Sequence, residues 1–222
     1  FFTGNFFSYF GLKNKKRIFM IDAKEALKRL TDGNERFVSG KSTHPNRCDE
    51  TKNSLLRGQK PFAVILSCSD SRVPVEIVFD VGLGDVFVIR TAGHVLSDEV
   101  MGSIEYAVQH LGVKLVMILG HENCGAIKCA VKSYKEKSFE KLSPYMQSIM
   151  KHIYPAIDKI VCPCCETPLE DLSVKANILY QVEDLLKKDN FIAEKVQTGE
   201  ITVVGAKYEL KTGKIIIMSE KG

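Results

Sequence analysis

The chain has 222 residues, 45% of them apolar, with 31 Lys and Arg against 27 Asp and Glu and a net charge of +4. That length and composition suit one well-buried domain rather than two. No apolar run approaches the roughly 20 residues that a membrane span needs, and the small positive balance is too diffuse for a nucleic-acid footprint.

Taken in chain order, Phe1, Phe2, Phe6, Phe7, Tyr9 and Phe10 crowd an apolar stretch that is followed by the basic residues Lys13, Lys15, Lys16 and Arg17. A secretory signal has the opposite order, with charge first. Residues 1–21 therefore read as an aromatic and basic arm that packs on its own or on a partner subunit. Two further readings are an upstream extension, with translation starting at Met20, and an interfacial membrane anchor. Residues 22–222 read as a single domain. Seven cysteines form an odd set in a chain that needs no staples to fold, so reduced thiols and a cytoplasmic setting are expected, with an exported location left open because residue 1 is not Met.

Asp22 followed by Glu25 is a capping-box pattern opening an amphipathic helix with Ala26, Leu27, Leu30, Phe37 and Val38 apolar, and Gly40 stops it. Residues 41–60 are polar and predict a loop with a short helix. Phe62-Ala63-Val64-Ile65-Leu66 then forms a continuous apolar run ending at Ser67-Cys68, the pattern of a parallel strand buried on both faces. The unit recurs at Val86–Ile89 and at Leu115–Leu119. Pro74 can start a short helix, and Ser97 or Asp98 can cap one running through Ala107 and Leu111. Helices are expected after Cys124 to about Ser133, over 142–160 and over 168–188. Ile201–Val204 and Lys214–Met218 close the chain as a strand pair. The fold class is α/β: a mostly parallel central sheet flanked by helices, with antiparallel strands at the C-terminus and an N-terminal helical arm.

Cys68-Ser69-Asp70-Ser71-Arg72 ends the first buried strand, and His121-Glu122-Asn123-Cys124-Gly125 follows the third. In an open parallel sheet, sites form beyond the carboxyl ends of strands. Two thiolates and an imidazole suit a tetrahedral zinc ion with a fourth position left open, which is the catalytic pattern. Singly, each residue has a plainer explanation: a strand-end Cys as a small buried hydrophobe, Asp-x-Arg as a local salt bridge, a pre-helix His as a cap. Together they favour zinc.

The segment from Gln59 to Val131 closely resembles the β-class carbonic anhydrases. The resemblance rests on Cys-x-Asp-x-Arg, His-x-x-Cys, Gly82-Leu83-Gly84-Asp85, Arg90-Thr91-Ala92-Gly93 and Ser103-Ile104-Glu105-Tyr106-Ala107-Val108, and extends more loosely over Ala23 to Met218. It implies a catalytic domain at 22–222, Cys68, His121 and Cys124 as zinc ligands, and Asp70 with Arg72 as an acid–guanidinium dyad. It also implies a carbon dioxide and bicarbonate pocket lined by Gln59, Phe87, Tyr106 and the N–H of Gly125. The implied reaction is reversible hydration of carbon dioxide by zinc-bound hydroxide, in a homodimer or homotetramer whose subunits share pocket walls.

The chemistry agrees with that assignment. Zinc lowers the pKa of bound water towards about 7, and thiolate ligands leave it higher than an all-His site would. Asp70, held ionised by Arg72, can aim the nucleophile, and the Gln59 amide can donate to the developing charge. The resemblance also implies a second role for Asp70, as a fourth zinc ligand in the closed resting site of some family members; against that family pattern, Gln59, Tyr106 and the absence of Trp favour the open form. Carbon disulfide or carbonyl sulfide hydrolysis on the same site and a non-catalytic zinc or bicarbonate sensor are the alternatives. His94 reads as a structural polar residue or a proton shuttle. Cys162-Pro163-Cys164-Cys165 reads as a reduced loop, with a labile disulfide or extra metal as alternatives, and Cys48 and Cys129 as plain thiols.

Overall fold

The computed structural model describes residues 21–160 and 169–222. The expectations for the aromatic arm and for Cys162, Cys164 and Cys165 fall outside those residues. The elements run α1 (Ala23–Val38), α2 (Asp49–Leu55), β1 (Ala63–Cys68), α3 (Val75–Val78), β2 (Val86–Thr91), α4 (Asp98–Gln109), β3 (Leu115–His121), α5 (Gly125–Lys135), α6 (Pro144–Asp158), α7 (Leu169–Lys188), α8 (Asn190–Gln197), β4 (Thr202–Tyr208) and β5 (Ile215–Lys221).

Local chemistry sets the boundaries. Asp22 Oδ1 accepts the Glu25 N–H at 2.7 Å, while the Glu25 carboxylate pairs with Arg29 on the next turn. Gly40, at φ +68°, donates its N–H to the Phe37 carbonyl and ends the helix in the left-handed conformation that glycine tolerates best. Ser143 caps α6 with Pro144 in its first turn.

The five strands lie in the order β2-β1-β3-β4-β5. β1 is parallel to β2 and β3, β4 is parallel to β3, and only β5 is antiparallel. The C-terminal pair is thus one parallel and one antiparallel strand, and β4 reaches Tyr208, well past the predicted Val204. The period-two alternation of the strands divides the core between the faces. Ile65, Met117 and Leu119 face α1 and α3. Leu66, Val116 and Ile118 face α4, α7 and α8. β1 and β3 are buried along their whole length, as their apolar runs predict. β2 differs: its sequence reads as a doubly buried strand, yet it is the sheet's edge and is half-buried.

The order β2-β1-β3 places consecutive connections on opposite sides of β1. The carboxyl ends of β1 and β3 therefore flank the crevice where the chain changes direction, the position at which such sheets hold ligands. α7 crosses close to β3 and β4 because glycines stand beneath it. A Cβ built on Gly120 would lie 2.5 Å from Ile178 Cγ1, and one on Gly205 would lie 3.1 Å from Ile178 Cγ2.

Candidate metal centre

Cys68 ends β1, His121 ends β3, and Cys124 caps α5 three residues later. Asn123, left-handed at φ +53°, turns the chain so that Cys124 comes back to the strand ends. All three side chains are buried, and one ligand atom from each lies within 4.8 Å of the others. The two sulfurs are 3.8 Å apart. Tetrahedral zinc with Zn–S bonds of about 2.3 Å would set them about 3.8 Å apart, so the spacing suits that ion.

The ring of His121 is oriented by its own backbone. Nδ1 is 2.8 Å from the carbonyl of Glu122, which can only accept, so Nδ1 carries the proton. Nε2 is then the lone-pair atom of the neutral ring, and it is buried with no partner among the described residues. A buried acceptor facing two thiols is the donor set of a soft divalent cation. The Cys124 S–H and the Gly93 N–H pull the Cys68 thiol far below its usual range against the opposing effect of burial, and the Cys124–Cys68 hydrogen bond together with burial pushes Cys124 up.

Asp70 and Arg72 stand beside this cluster. Arg72 Nε and Nη2 each donate to Asp70 at 2.8 Å, one to each carboxylate oxygen, and the Arg72 N–H adds a third bond at 3.0 Å. The guanidinium holds the Asp70 carboxyl well below the ordinary carboxylate range. Asp70 Oδ2 remains 3.8 Å from His121 Nε2, beside the cluster and paired with Arg72.

Three residues to which the sequence reading gave no role complete the support. Arg90 donates from Nε to the Cys68 carbonyl at 3.0 Å and from Nη2 to the Asp70 carbonyl at 2.7 Å, clamping the loop that carries the dyad. Asn123 accepts from Arg72 at its carbonyl and from Lys128 at its side chain. Gly93 donates its N–H to Cys68 Sγ at 3.4 Å. The motif Arg90-Thr91-Ala92-Gly93 was the available signal, but a motif does not reveal which carbonyls its guanidinium meets.

The other expected site residues divide. Gly125 opens α5 directly after Cys124, exposed and with nothing within 4 Å of the position a Cβ would take. Phe87 and Tyr106 lie together, ring centroids 6.1 Å apart, but away from the cluster. Phe87 pairs with Val64 while Thr91 pairs with Cys68, so four residues of strand, roughly 13 Å, separate the two levels. Gln59 is exposed in a cavity of about 390 Å³ with Phe62, His110 and Lys114, at the amino ends of β1 and β3. Within one chain these three walls do not meet the cluster.

His94 is fully buried, and burial lowers its pKa to about 4. Cys48 is exposed and Cys129 half-buried, both free.

Comparison with known proteins places the chain. Residues 63–215 match the carbonic anhydrase family. Carbonic anhydrase 2 of Mycobacterium tuberculosis is 37% identical over 197 residues, covering 89% of this chain and 93% of that protein. The carbonic anhydrase of Mycolicibacterium smegmatis is 39% identical over 197 residues, covering 89% and 94%. Among solved structures, the β-carbonic anhydrase CcaA superposes with a TM-score of 0.69 at 25% identity, over 87% of each chain. The chain belongs to the β-class carbonic anhydrases, the carbonate dehydratases.

Proposed function

We propose that this chain catalyses the reversible hydration of carbon dioxide to bicarbonate and a proton at a zinc ion held by Cys68, His121 and Cys124. The observation that carries the reading is the unpartnered His121 Nε2 facing two sulfurs at tetrahedral spacing, with an ionised carboxylate 3.8 Å away. When bound there, zinc supplies a Lewis acid that brings the pKa of a coordinated water into the working range.

The chain's own groups do the rest. Asp70, kept ionised and fixed by the two-pronged Arg72 bond, accepts a hydrogen bond from the attacking oxygen and aims a lone pair at the substrate carbon. Its pairing with Arg72 supports the open arrangement over the one in which Asp70 is a fourth ligand. Gly125 opens α5 with free space on its Cβ side, and its N–H, among the first of the helix, is assigned to the bicarbonate oxygens.

The pocket walls come from a second copy. Gln59, Phe87 and Tyr106 sit too far from the metal ligands of their own chain, and a two-fold dimer can lay each chain's wall over its partner's cluster. A homodimer or a pair of dimers follows as the working assembly. Mixing an inactive Cys124→Ala chain with an inactive Gln59→Ala chain tests this. Every mixed dimer then holds one complete site, and about a quarter of wild-type activity should return after subunit exchange. No recovery after confirmed exchange refutes the shared site.

The function itself is tested by stopped-flow carbon dioxide hydration, with zinc determined on the same sample and sulfide release from carbon disulfide measured alongside. The rate should climb from neutral to alkaline pH, because thiolate ligands keep the water's pKa high. Faster sulfide release than hydration would transfer the site to carbon disulfide, and zinc without either turnover would make the protein a sensor. The described residues include no helix long and apolar enough to cross a membrane.

A further inference from the structure

Asn177 and Gln181 are fully buried on α7, one turn apart, facing the turn Gly93–His94 that follows β2. Their amide orientations are fixed by their partners. The Leu96 N–H must donate, so Gln181 Oε1 accepts it at 3.0 Å. Gln181 Nε2 then donates to the His152 carbonyl and to Asn177 Oδ1. Asn177 Nδ2 is left as the donor, to the Gly93 carbonyl and to His94 Nε2, both at 3.0 Å. His94 is thereby an acceptor at Nε2 and carries its proton on Nδ1.

This chain of bonds holds an unusual piece of backbone. Gly93 and His94 are consecutive left-handed residues, at φ +73° and +47°, and the second is not glycine. A side chain crowds the backbone in that conformation, so a non-glycine residue holds it only where its surroundings fix it. The His94 ring is wedged over Gly120, where a Cβ would lie 2.9 Å from its Cε1. The conformation has one consequence at the metal centre: the Gly93 N–H points at Cys68 Sγ, 3.4 Å away.

We propose that Asn177 is a positioning residue for the metal centre: by locking the Gly93–His94 turn it keeps the Gly93 N–H on the Cys68 sulfur and so limits how strongly that sulfur donates charge to the metal. An N–H bond to a thiolate withdraws electron density from the sulfur, and the groups behind a ligand commonly tune a site in this way. By donating to the buried Gly93 carbonyl and the His94 ring together, the Asn177 amide fixes the peptide group that follows the N–H in question.

The inference rests on the zinc site proposed above, and the experiment separates the two. Wild type, Asn177→Leu and Asn177→Asp are loaded with Co²⁺ and the thiolate-to-cobalt charge-transfer band is recorded; zinc affinity is measured by chelator competition. Leu removes both donors at similar size, and Asp keeps the shape and the Gln181 bond but cannot donate as a carboxylate. Both should shift the band to lower energy, and because a thiolate without that N–H holds its competing proton more tightly, zinc binding at neutral pH should weaken about tenfold. Val182→Ala, buried on α7 five residues beyond Asn177 and packed in a different core cluster, should lower stability without moving the band. A band unmoved in both Asn177 variants, or moved equally in Val182→Ala, overturns the proposal. Should wild type bind neither cobalt nor zinc, the metal reading beneath it fails instead.

Discussion

Replacing Arg72 by Ala removes two of the three hydrogen bonds that fix the Asp70 carboxylate and leaves only the backbone N–H at 3.0 Å. A hydrogen bond to a charged group contributes about 1.5–3 kcal/mol. Two such bonds total about 3–6 kcal/mol, and because Arg72 is 51% exposed, solvent screening takes the pair below that range, to about 2–3 kcal/mol. If that energy serves to aim Asp70, the loss in kcat/KM is roughly 30- to 150-fold at 1.36 kcal/mol per decade. The freed carboxylate starts 3.8 Å from His121 Nε2 and is free to turn onto the metal position. The assay is stopped-flow hydration with zinc content measured on each sample. Arg72→Lys keeps the charge without the fork and should fall between the two. An Arg72→Ala enzyme with full zinc and wild-type kcat/KM would refute the role given to the dyad.

Exhaustive chelation should abolish hydration and lower Tm, with zinc restoring both; activity that survives with zinc below detection removes the metal from the mechanism. His94→Ala should lose the same fraction of activity at low and high buffer concentration, because a fully buried ring with a pKa of about 4 is neutral at working pH. A deficit that buffer rescues would show that the ring does carry protons. Burial keeps the folded pKa of His94 below its usual 6.5, so the unfolded chain takes up a proton first as pH falls. Stability should therefore drop by up to about 3 kcal/mol between pH 6.5 and 4, and His94→Ala should flatten that part of the curve; an unchanged slope in the variant speaks against it. Asp80 acts in the next window. Burial opposes its charge, but the Thr43 N–H, Arg36 and the His44 N–H more than offset this and hold its pKa below the carboxylate range. The stability it provides is present above about pH 4 and lost below it. Asp80→Asn should cost about 3 kcal/mol at neutral pH by urea titration, and a cost under about 1 would contradict a built charge network.

The doubly buried strands and the gathering of Cys68, His121 and Cys124 were legible because each depends on short-range pattern. Continuous apolar runs named β1 and β3, and residues placed just past such runs fall at the carboxyl end of the sheet wherever the strands lie. β2 carries the same apolar pattern as its neighbours, so sequence could not show that it is an edge; edge position depends on strand order, which is a property of the whole sheet. α8 was missed because its eight residues offer little periodicity, although Asp189 caps it by accepting the Ile192 N–H. The run past Val204 to Tyr208 was hidden by Gly205 and Lys207, which sequence reads as breaking the strand. Arg90, Asn177 and Gln181 were beyond reach for another reason: their partners are backbone carbonyls, N–H groups and amides brought in from distant segments.

The division between what one chain completes and what it leaves open follows from the sheet. The Cys68–His121–Cys124 cluster and the groups that touch it come from the carboxyl ends of β1, β2 and β3 or the turns just after them, with Asn177 of α7 behind, so one chain suffices to assemble it. The apolar wall and the Gln59 amide lie towards the opposite end, on a half-buried edge strand and an exposed helix face where Tyr106 keeps 47% of its surface in solvent. Linear, weakly polar substrates need a wall more than a set of hydrogen bonds, and a metal centre left without one would face water. In the proposed dimer, coupling the wall to a second copy would make closure of the pocket conditional on assembly, so a chain that folds but does not pair should bind its metal and turn over poorly. That dissociation of metal content from activity on dilution is what a site complete within one chain would never show.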